Sequence, residues 1–239
     1  MKNTKNAIVL CSGGLDSVVT ASFVKKSLSY DKIKILFFDY GQKTLLQERK
    51  ASKYCAKVVN GEFIEIKLKW LNEISNSLIN KSGKVKTKQL SRKDLKDTKK
   101  ESDKYYVPCR NTIFLVHALA LAESLYIKSK KRDINEIFIG FKCEGKESYP
   151  DTTQEFVEEM NKLSKISCNK HFRIIAPLIK KDKEDIVLLG KKLGVEMEKT
   201  WSCYVGNNPT RQCGKCLACM LRKEGFYWAN VKDRTRYES

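Results

Sequence analysis

The chain has 239 residues, enough for one sizeable core with an appendage, and no run of 18 apolar residues, which excludes a membrane-spanning helix. Its formal charge is +19, yet only nine of its 47 basic residues are arginines and the lysines are spread over the whole length. Arginine is the residue suited to bidentate phosphate and base contacts, so the charge reads as a general lysine excess with some pull on anionic ligands, and nucleic-acid binding is not expected. Residues 1–6 lead straight into a strand pattern without a signal-peptide apolar region, so a cytoplasmic protein is expected. Nine cysteines in such a chain argue for metal ligation or free thiols over disulfides.

In chain order, residues 7–11 form an apolar run of strand length, and residues 16–29 carry Val18, Val19, Ala21, Phe23 and Val24 as a helix would. Ser12-Gly13-Gly14-Leu15-Asp16-Ser17 joins them. A strand, a tight glycine turn and a helix together make a phosphate cradle. Gly13 and Gly14 can take backbone angles that a Cβ forbids and let amides approach an oxyanion. Ser12 and Ser17 add hydroxyls, and the helix beginning near Leu15 turns its positive end to the ligand. Asp16 stands where a triphosphate loop needs its lysine, and an acidic residue there suits Mg2+ bridging to released pyrophosphate. The run resembles the pyrophosphatase-type loop of enzymes that adenylate a substrate with ATP.

Further strand patterns fall over 33–38, 63–66, 136–140 and 173–176, and helical patterns over 42–58, 110–127, 152–166 and 182–193. The last of these has Asp182 as N-cap, Asp185 three residues later and Gly194 at its end. Apolar strands alternating with helices imply an α/β fold with a parallel, doubly wound sheet, and its site belongs at the carboxyl ends of the strands. Residues 80–104 break the pattern with a polar, lysine-rich stretch, read as a flexible basic insertion in preference to a lid. The expected division is an ATP-pyrophosphatase-type domain over 1–195 and a metal-binding segment over 196–239.

Cys203, Cys213, Cys216 and Cys219 form Cys-x9-Cys-x2-Cys-x2-Cys, with Gly214 supplying a tight turn. Four thiolates complete a tetrahedral Zn2+ and leave no open position, so a structural zinc, one per chain, is expected. An iron–sulfur cluster is the second choice for four cysteines. Cys11, Cys55, Cys109, Cys143 and Cys168 are scattered and read as small hydrophobes.

These pieces together resemble the QueC (ExsB-type) family, the 7-cyano-7-deazaguanine synthases, along nearly the whole chain. The matching motifs are Ser12 to Ser17, Asp39-Tyr40-Gly41-Gln42, Val107-Pro108-Cys109-Arg110-Asn111, Tyr149-Pro150-Asp151, Pro177-Leu178 with Lys183, the four-cysteine run, and Leu221-Arg222. The resemblance implies a sheet of the adenine-nucleotide alpha-hydrolase (HUP-like) type with a zinc-bound helical C-terminal segment, and a homodimer. It also implies adenylation of the carboxylate of 7-carboxy-7-deazaguanine, capture by ammonia, and dehydration of the resulting amide to the nitrile. By the same resemblance Leu10 and the Ser12 to Ser17 loop hold ATP and pyrophosphate, and Asp39, Tyr40 and Gln42 lie at adenine or ribose. Asp16, Arg110 and Lys183 are the expected catalytic group, and Arg110, Asn111, Tyr149, Pro150 and Asp151 the expected contacts to the deazaguanine. A plainer reading makes Arg110 and Asn111 a locally capped helix start, and Tyr149 to Asp151 a turn with Asp151 as N-cap.

One segment departs from the family. Members typically read Asp-x-Ser-Gly-Tyr-Pro-Asp-Cys-Arg where this chain has Gly145-Lys146-Glu147-Ser148-Tyr149-Pro150-Asp151-Thr152-Thr153. Since that segment contributes to the nucleobase pocket, a second reading keeps the adenylation and passes the acyl group to a protein N-terminal amine, as in QueC-like paralogues associated with antiviral defence. A tRNA-modifying sulfur transferase using Cys109 or Cys143 and a nucleic-acid-binding zinc ribbon are the remaining readings.

Overall fold

The computed structural model describes residues 5–85, 90–91, 94–95, 97–142 and 149–238. Its elements are β1 (Asn6–Leu10), α1 (Leu15–Lys26), β2 (Lys32–Asp39), α2 (Leu45–Val58), β3 (Glu62–Lys67), α3 (Trp70–Ile74), α4 (Lys99–Asp103), α5 (Arg110–Lys128), β4 (Asn135–Ile139), α6 (Gln154–Ser167), β5 (Ile174–Ile175), α7 (Lys183–Lys192) and α8 (Leu217–Trp228). The strands lie in the order β3-β2-β1-β4-β5, and every pairing is parallel.

Burial explains why β1 reads as an unbroken apolar run. Ala7, Val9 and Cys11 point into one core with Val18, Ala21 and Val24 of α1 and Cys55 and Ala56 of α2. Ile8 and Leu10 point the other way, into a core with Leu115, Ala118, Leu119 and Ala122 of α5 and Val157 and Met160 of α6. A central strand covered on both faces has no polar side to alternate with. The chain winds from β1 to β2 and β3 on one side, then returns to place β4 and β5 on the other, so the switch point lies between the carboxyl ends of β1 and β4.

Several boundaries shift for local reasons. α1 stops at Lys26, where Ser27 and Leu28 both donate to the Phe23 carbonyl and Ser29 turns left-handed at φ 57°. α2 starts at Leu45, because residues 42–44 form a turn built on the Gln42 side chain. Asp182 occupies the N-cap position of α7 with extended backbone, but its side chain makes no capping bond among the described residues. Gly194 does end that helix: at φ 65° it donates to Lys191, and Val195 donates to Gly190, the paired bonds of a Schellman cap.

The described part of 80–104 is packed. Val85 and Leu90 are buried in the α5-side core, Lys104 accepts from the Leu78 N–H, and Asn207 pairs with the Val85 backbone. Likewise the chain beyond 195 shares a core with what precedes it, since Met197 and Phe226 pack with Leu15 and Val19 of α1 and Ile186 and Val187 of α7. Among the described residues no helix is long and apolar enough to cross a membrane.

Candidate active site

The glycine turn sits at the switch point, and its two glycines differ. Gly13 has φ 82°, and a Cβ there would lie 2.6 Å from the Glu48 carbonyl oxygen and 2.7 Å from Ala51 Cβ, so the turn is pressed against α2. Gly14, at φ −70° and ψ 160°, is ordinary extended backbone, which corrects the expectation that both glycines need special angles. It is the N-cap of α1 without a side-chain cap, and the amides of Leu15, Asp16 and Ser17 open the helix with no partner in its own ladder. Ser12 Oγ accepts from the Gly14 N–H at 3.3 Å, and Ser17 Oγ donates back to the Gly14 carbonyl at 3.0 Å. Gly140, directly after β4, is part of the same construction. A Cβ on it would be 3.0 Å from Ser17 N, so only glycine lets the first turn of α1 cross the end of β4.

Asp16 faces the start of α7. Lys183 Nζ donates to both of its carboxylate oxygens, at 2.8 and 2.7 Å. The expected catalytic residues Asp16 and Lys183 therefore meet, 167 positions apart in sequence.

Beyond the turn opens a cavity of about 290 Å3. Leu10, Ser12, Gly14, Leu15, Asp16 and Ser17 line it at the glycine turn. Tyr40, Arg110, Phe114, Tyr149, Trp201 and Tyr204 form its aromatic end. Phe114 stacks on Phe38 at 4.0 Å, and the Arg110 guanidinium lies 5.6 Å from the Tyr40 ring and donates to its hydroxyl at 3.4 Å. Burial pushes the Tyr40 phenol up to about 12. Burial opposes the charge of Arg110, but Tyr40, Tyr204 and Asp151 outweigh it and hold the guanidinium more firmly protonated than usual. Glu48, on the first turn of α2, also lines the cavity, and burial pushes its carboxyl up to about 7 against hydrogen bonds from Thr44 and Gln42.

Other expected site residues support these walls from behind. Asp39 is buried, accepts from the Gly41 N–H at 3.2 Å and pairs with Arg49 at 3.5 Å. Gln42 is buried too. Its amide oxygen accepts from the Tyr40 N–H, while its nitrogen donates to the Phe38 carbonyl and to Glu48 Oε2. Neither lines the cavity. Asp151 is not the N-cap of α6, a place taken by Thr153, which accepts from the Phe156 N–H. Asp151 Oδ2 accepts instead from Asn111 N at 3.2 Å, and Asn111 Nδ2 donates to the Asp151 carbonyl, so Asp151 caps α5 from 40 residues away. The local N-cap of α5, Cys109, is left-handed at φ 51° and makes no side-chain cap. Pro150 is exposed at the start of a 3-10 turn over Pro150–Thr152. Tyr149 lines the cavity, donates to the Ser102 carbonyl at 2.9 Å and stacks on Tyr106. The altered residues Gly145 to Ser148, and Cys143, lie outside the described residues.

The four clustered cysteines converge as expected. Their sulfurs lie within 4.8 Å of one another, all buried, and Gly214 turns between them at φ 71°. Cys213 N donates to Cys203 Sγ, and Lys215 N and Cys216 N donate to Cys213 Sγ. Such a buried set with amides aimed at its sulfurs is compatible with a structural metal ion. The cluster also reaches the phosphate turn: Trp201, two residues before Cys203, donates its N–H to the Gly13 carbonyl at 2.8 Å. Arg222 of α8 holds the same stretch through Met197 O, Thr200 Oγ1 and Ser202 Oγ.

Glu48, Phe114, Gly140, Trp201 and Tyr204 were not foreseen as site residues. Trp201 and Tyr204 flank the first cluster cysteine, which was a usable signal, whereas Glu48 looks in sequence like any solvated helix glutamate.

A glycine turn with open helix amides at the switch point of a parallel sheet, carrying an aspartate–lysine pair beside a cavity lined by Arg110, is the arrangement of an α/β enzyme of the nucleotide-using kind. The family model described as queuosine biosynthesis protein QueC matches residues 6–230, and the chain belongs to that family. Among similar proteins, a 7-cyano-7-deazaguanine synthase of Methanosphaera stadtmanae is 37% identical over 97% of this chain and 98% of its own. Those of Methanocaldococcus jannaschii, at 35% over 97% and 98%, and of Nitratiruptor sp., at 37% over 98% and 99%, are similar to the same degree.

Proposed function

We propose that the protein is an ATP-dependent carbon–nitrogen ligase that converts 7-carboxy-7-deazaguanine to 7-cyano-7-deazaguanine. The observation that carries this reading is the cavity lined by the Asp16–Lys183 pair and by Arg110, in a chain that matches a synthase over 97% of its length. A carboxylate is a poor electrophile, so its oxygen attacks the α-phosphorus of ATP, pyrophosphate leaves, and an acyl adenylate forms. Ammonia then attacks the acyl carbon, the acyl–oxygen bond breaks, AMP leaves, and a proton is released to give the amide. Attack by the amide oxygen on a second ATP expels pyrophosphate. Loss of the nitrogen's protons and of AMP then leaves the nitrile.

In this scheme the open amides of α1, with Ser12, cradle the departing pyrophosphate. Lys183 and Arg110 offset the charge that grows on the phosphates as the bond to the α-phosphorus breaks. The aromatic end of the cavity takes the flat heterocycle, with Tyr149 and Arg110 at its edge. Mg2+ is held by few protein carboxylates and mainly by phosphate oxygens, a role that the lone acidic group of the cradle, Asp16, suits once phosphates draw Lys183 away. Zinc fits the cysteine set, since tetrahedral Zn–S bonds of about 2.3 Å put the sulfurs about 3.8 Å apart, and Cys213 Sγ lies 3.9 Å from Cys219 Sγ. It would tie the C-terminal segment to the phosphate turn.

Incubation with ATP, the deazaguanine acid and ammonium, read by mass spectrometry, should give the nitrile with AMP and pyrophosphate. Absence of acid-dependent AMP would refute the ligase reading. AMP without amide or nitrile would redirect the activated acid to another acceptor, such as a protein N-terminal amine.

A further inference from the structure

We propose that Glu48 is the general base that takes the proton from the attacking nitrogen, a role that deepens the ligase reading above and rests on it. The cavity wall presents two carboxyl groups among the described residues, Asp16 and Glu48. Both oxygens of Asp16 are engaged by Lys183, and its place at the head of α1 puts it at the glycine turn. Glu48 is the more buried of the two, 8% exposed, and acts electrostatically on Tyr40 and Arg110.

Its orientation is locked. Thr44 Oγ1 donates to Oε1, and Gln42 Nε2 donates to Oε2 at 3.1 Å, while the Gln42 amide oxygen is itself held by the Tyr40 N–H. Each oxygen has room for a second hydrogen, so the carboxylate can accept a proton without giving up either bond. The charged and titratable groups that act on it are Arg110 from α5 and Tyr40 from the loop after β2. Arg49, next along α2, turns outward to Glu65 and Asp39. Burial pushes the Glu48 carboxyl up to about 7, which suits a group that must take a proton near neutral pH and release it afterwards.

Ammonia attack needs such a group. As the nitrogen–carbon bond forms the nitrogen becomes cationic, and unless its proton leaves it is a better leaving group than AMP. Glu48 accepts that proton as the acyl–oxygen bond to AMP breaks, and passes it to solvent when product departs. Tyr40, with its phenol pushed up to about 12, stays protonated and cannot replace it.

The test compares two half-reactions in Glu48→Gln and Glu48→Ala, with thermal unfolding as the check on folding. Acid-dependent ATP–pyrophosphate exchange reports adenylation, and single-turnover amide formation from ammonia reports the second step. A general base is worth about 10²–10⁴-fold, so amide formation should fall by at least ~100-fold while exchange falls far less. Formate or acetate should partly restore the alanine variant, and hydroxylamine, whose weakly basic nitrogen gives a cationic adduct that loses its proton readily to water, should depend far less on Glu48. Equal losses in both half-reactions, or unimpaired amide formation, would overturn the role. If the unaltered protein itself shows no acid-dependent exchange, the ligase reading fails and this role falls with it.

Discussion

Arg222 offers the sharpest test of how the cysteine segment supports the phosphate turn. It is 1% exposed, and it donates to Met197 O at 2.8 Å, Thr200 Oγ1 at 2.7 Å and Ser202 Oγ at 3.2 Å, with Asp233 paired at 3.3 Å. Arg222→Met keeps much of the volume and removes every one of these donors. Breaking a buried ion pair costs about 3–5 kcal/mol, because the remaining charge is stranded. Asp233 keeps Tyr237 Oη at 2.6 Å and the Thr235 N–H at 3.0 Å, which places its share at the lower end. The Met197 carbonyl and Thr200 hydroxyl lose partners at about 1 kcal/mol each, giving a total of about 5 kcal/mol. Denaturant unfolding of the metal-loaded protein measures this total directly. Amide hydrogen exchange locates it: protection should drop at 197–203 and also at 12–17, because the Trp201 N–H bonds the Gly13 carbonyl. A loss below about 1 kcal/mol would refute the energetic argument. Full loss with residues 12–17 still protected would refute the coupling.

Three further outcomes follow from single positions. Gly13→Ala should destabilise by about 2–4 kcal/mol, from the left-handed backbone and the clash with Glu48 O and Ala51. Gly14→Ala, with ordinary angles, should cost under about 1 kcal/mol in the same denaturant series. Asp151→Ala removes the remote cap of α5 and should cost about 1–2 kcal/mol, with early exchange at Asn111; unchanged exchange there would contradict the capping role. The fourth concerns pH. Glu48 holds its proton more tightly folded than unfolded, so between the ordinary carboxylate value of 4.5 and about 7 the folded state binds more protons and stability falls as pH rises. Glu48→Gln should flatten that slope by up to about 3 kcal/mol between pH 5 and 8, and an unchanged slope in unfolding measurements would show that Glu48 does not titrate there.

The features legible in the sequence are those whose cause is local. An apolar run such as 7–11 announces a strand buried on both faces, and four cysteines separated by nine, two and two residues announce one converging cluster. What stayed hidden depends on partners brought together by the sheet. Asp151 reads as the cap of the helix after it and instead caps the helix 40 residues before it, because the turn Pro150–Thr152 lies against the start of α5. The burial of Glu48 and Arg222 stayed hidden as well, although Leu221-Arg222 is among the family motifs, since nothing in a single sequence separates a buried carboxylate or guanidinium from an exposed one until its neighbours are placed.

The two hidden charges flank the same short turn, and this changes what the glycine motif means. Gly13 needs its freedom because the backbone of Glu48 leaves no room for a Cβ, and its carbonyl is fixed by Trp201, whose segment Arg222 anchors. The cradle is therefore clamped from α2 on one side and from the cysteine segment on the other. On the proposed function its open amides receive pyrophosphate, and they are held in place by contacts that only the completed fold supplies, so a substitution at Arg222 should weaken pyrophosphate binding without touching the ligand. Isothermal titration of Arg222→Lys with pyrophosphate and Mg2+ would detect it. The lysine variant keeps the charge beside Asp233 but lacks the fork that reaches both Thr200 and Met197, and an affinity equal to that of the unaltered protein would rule the clamp out.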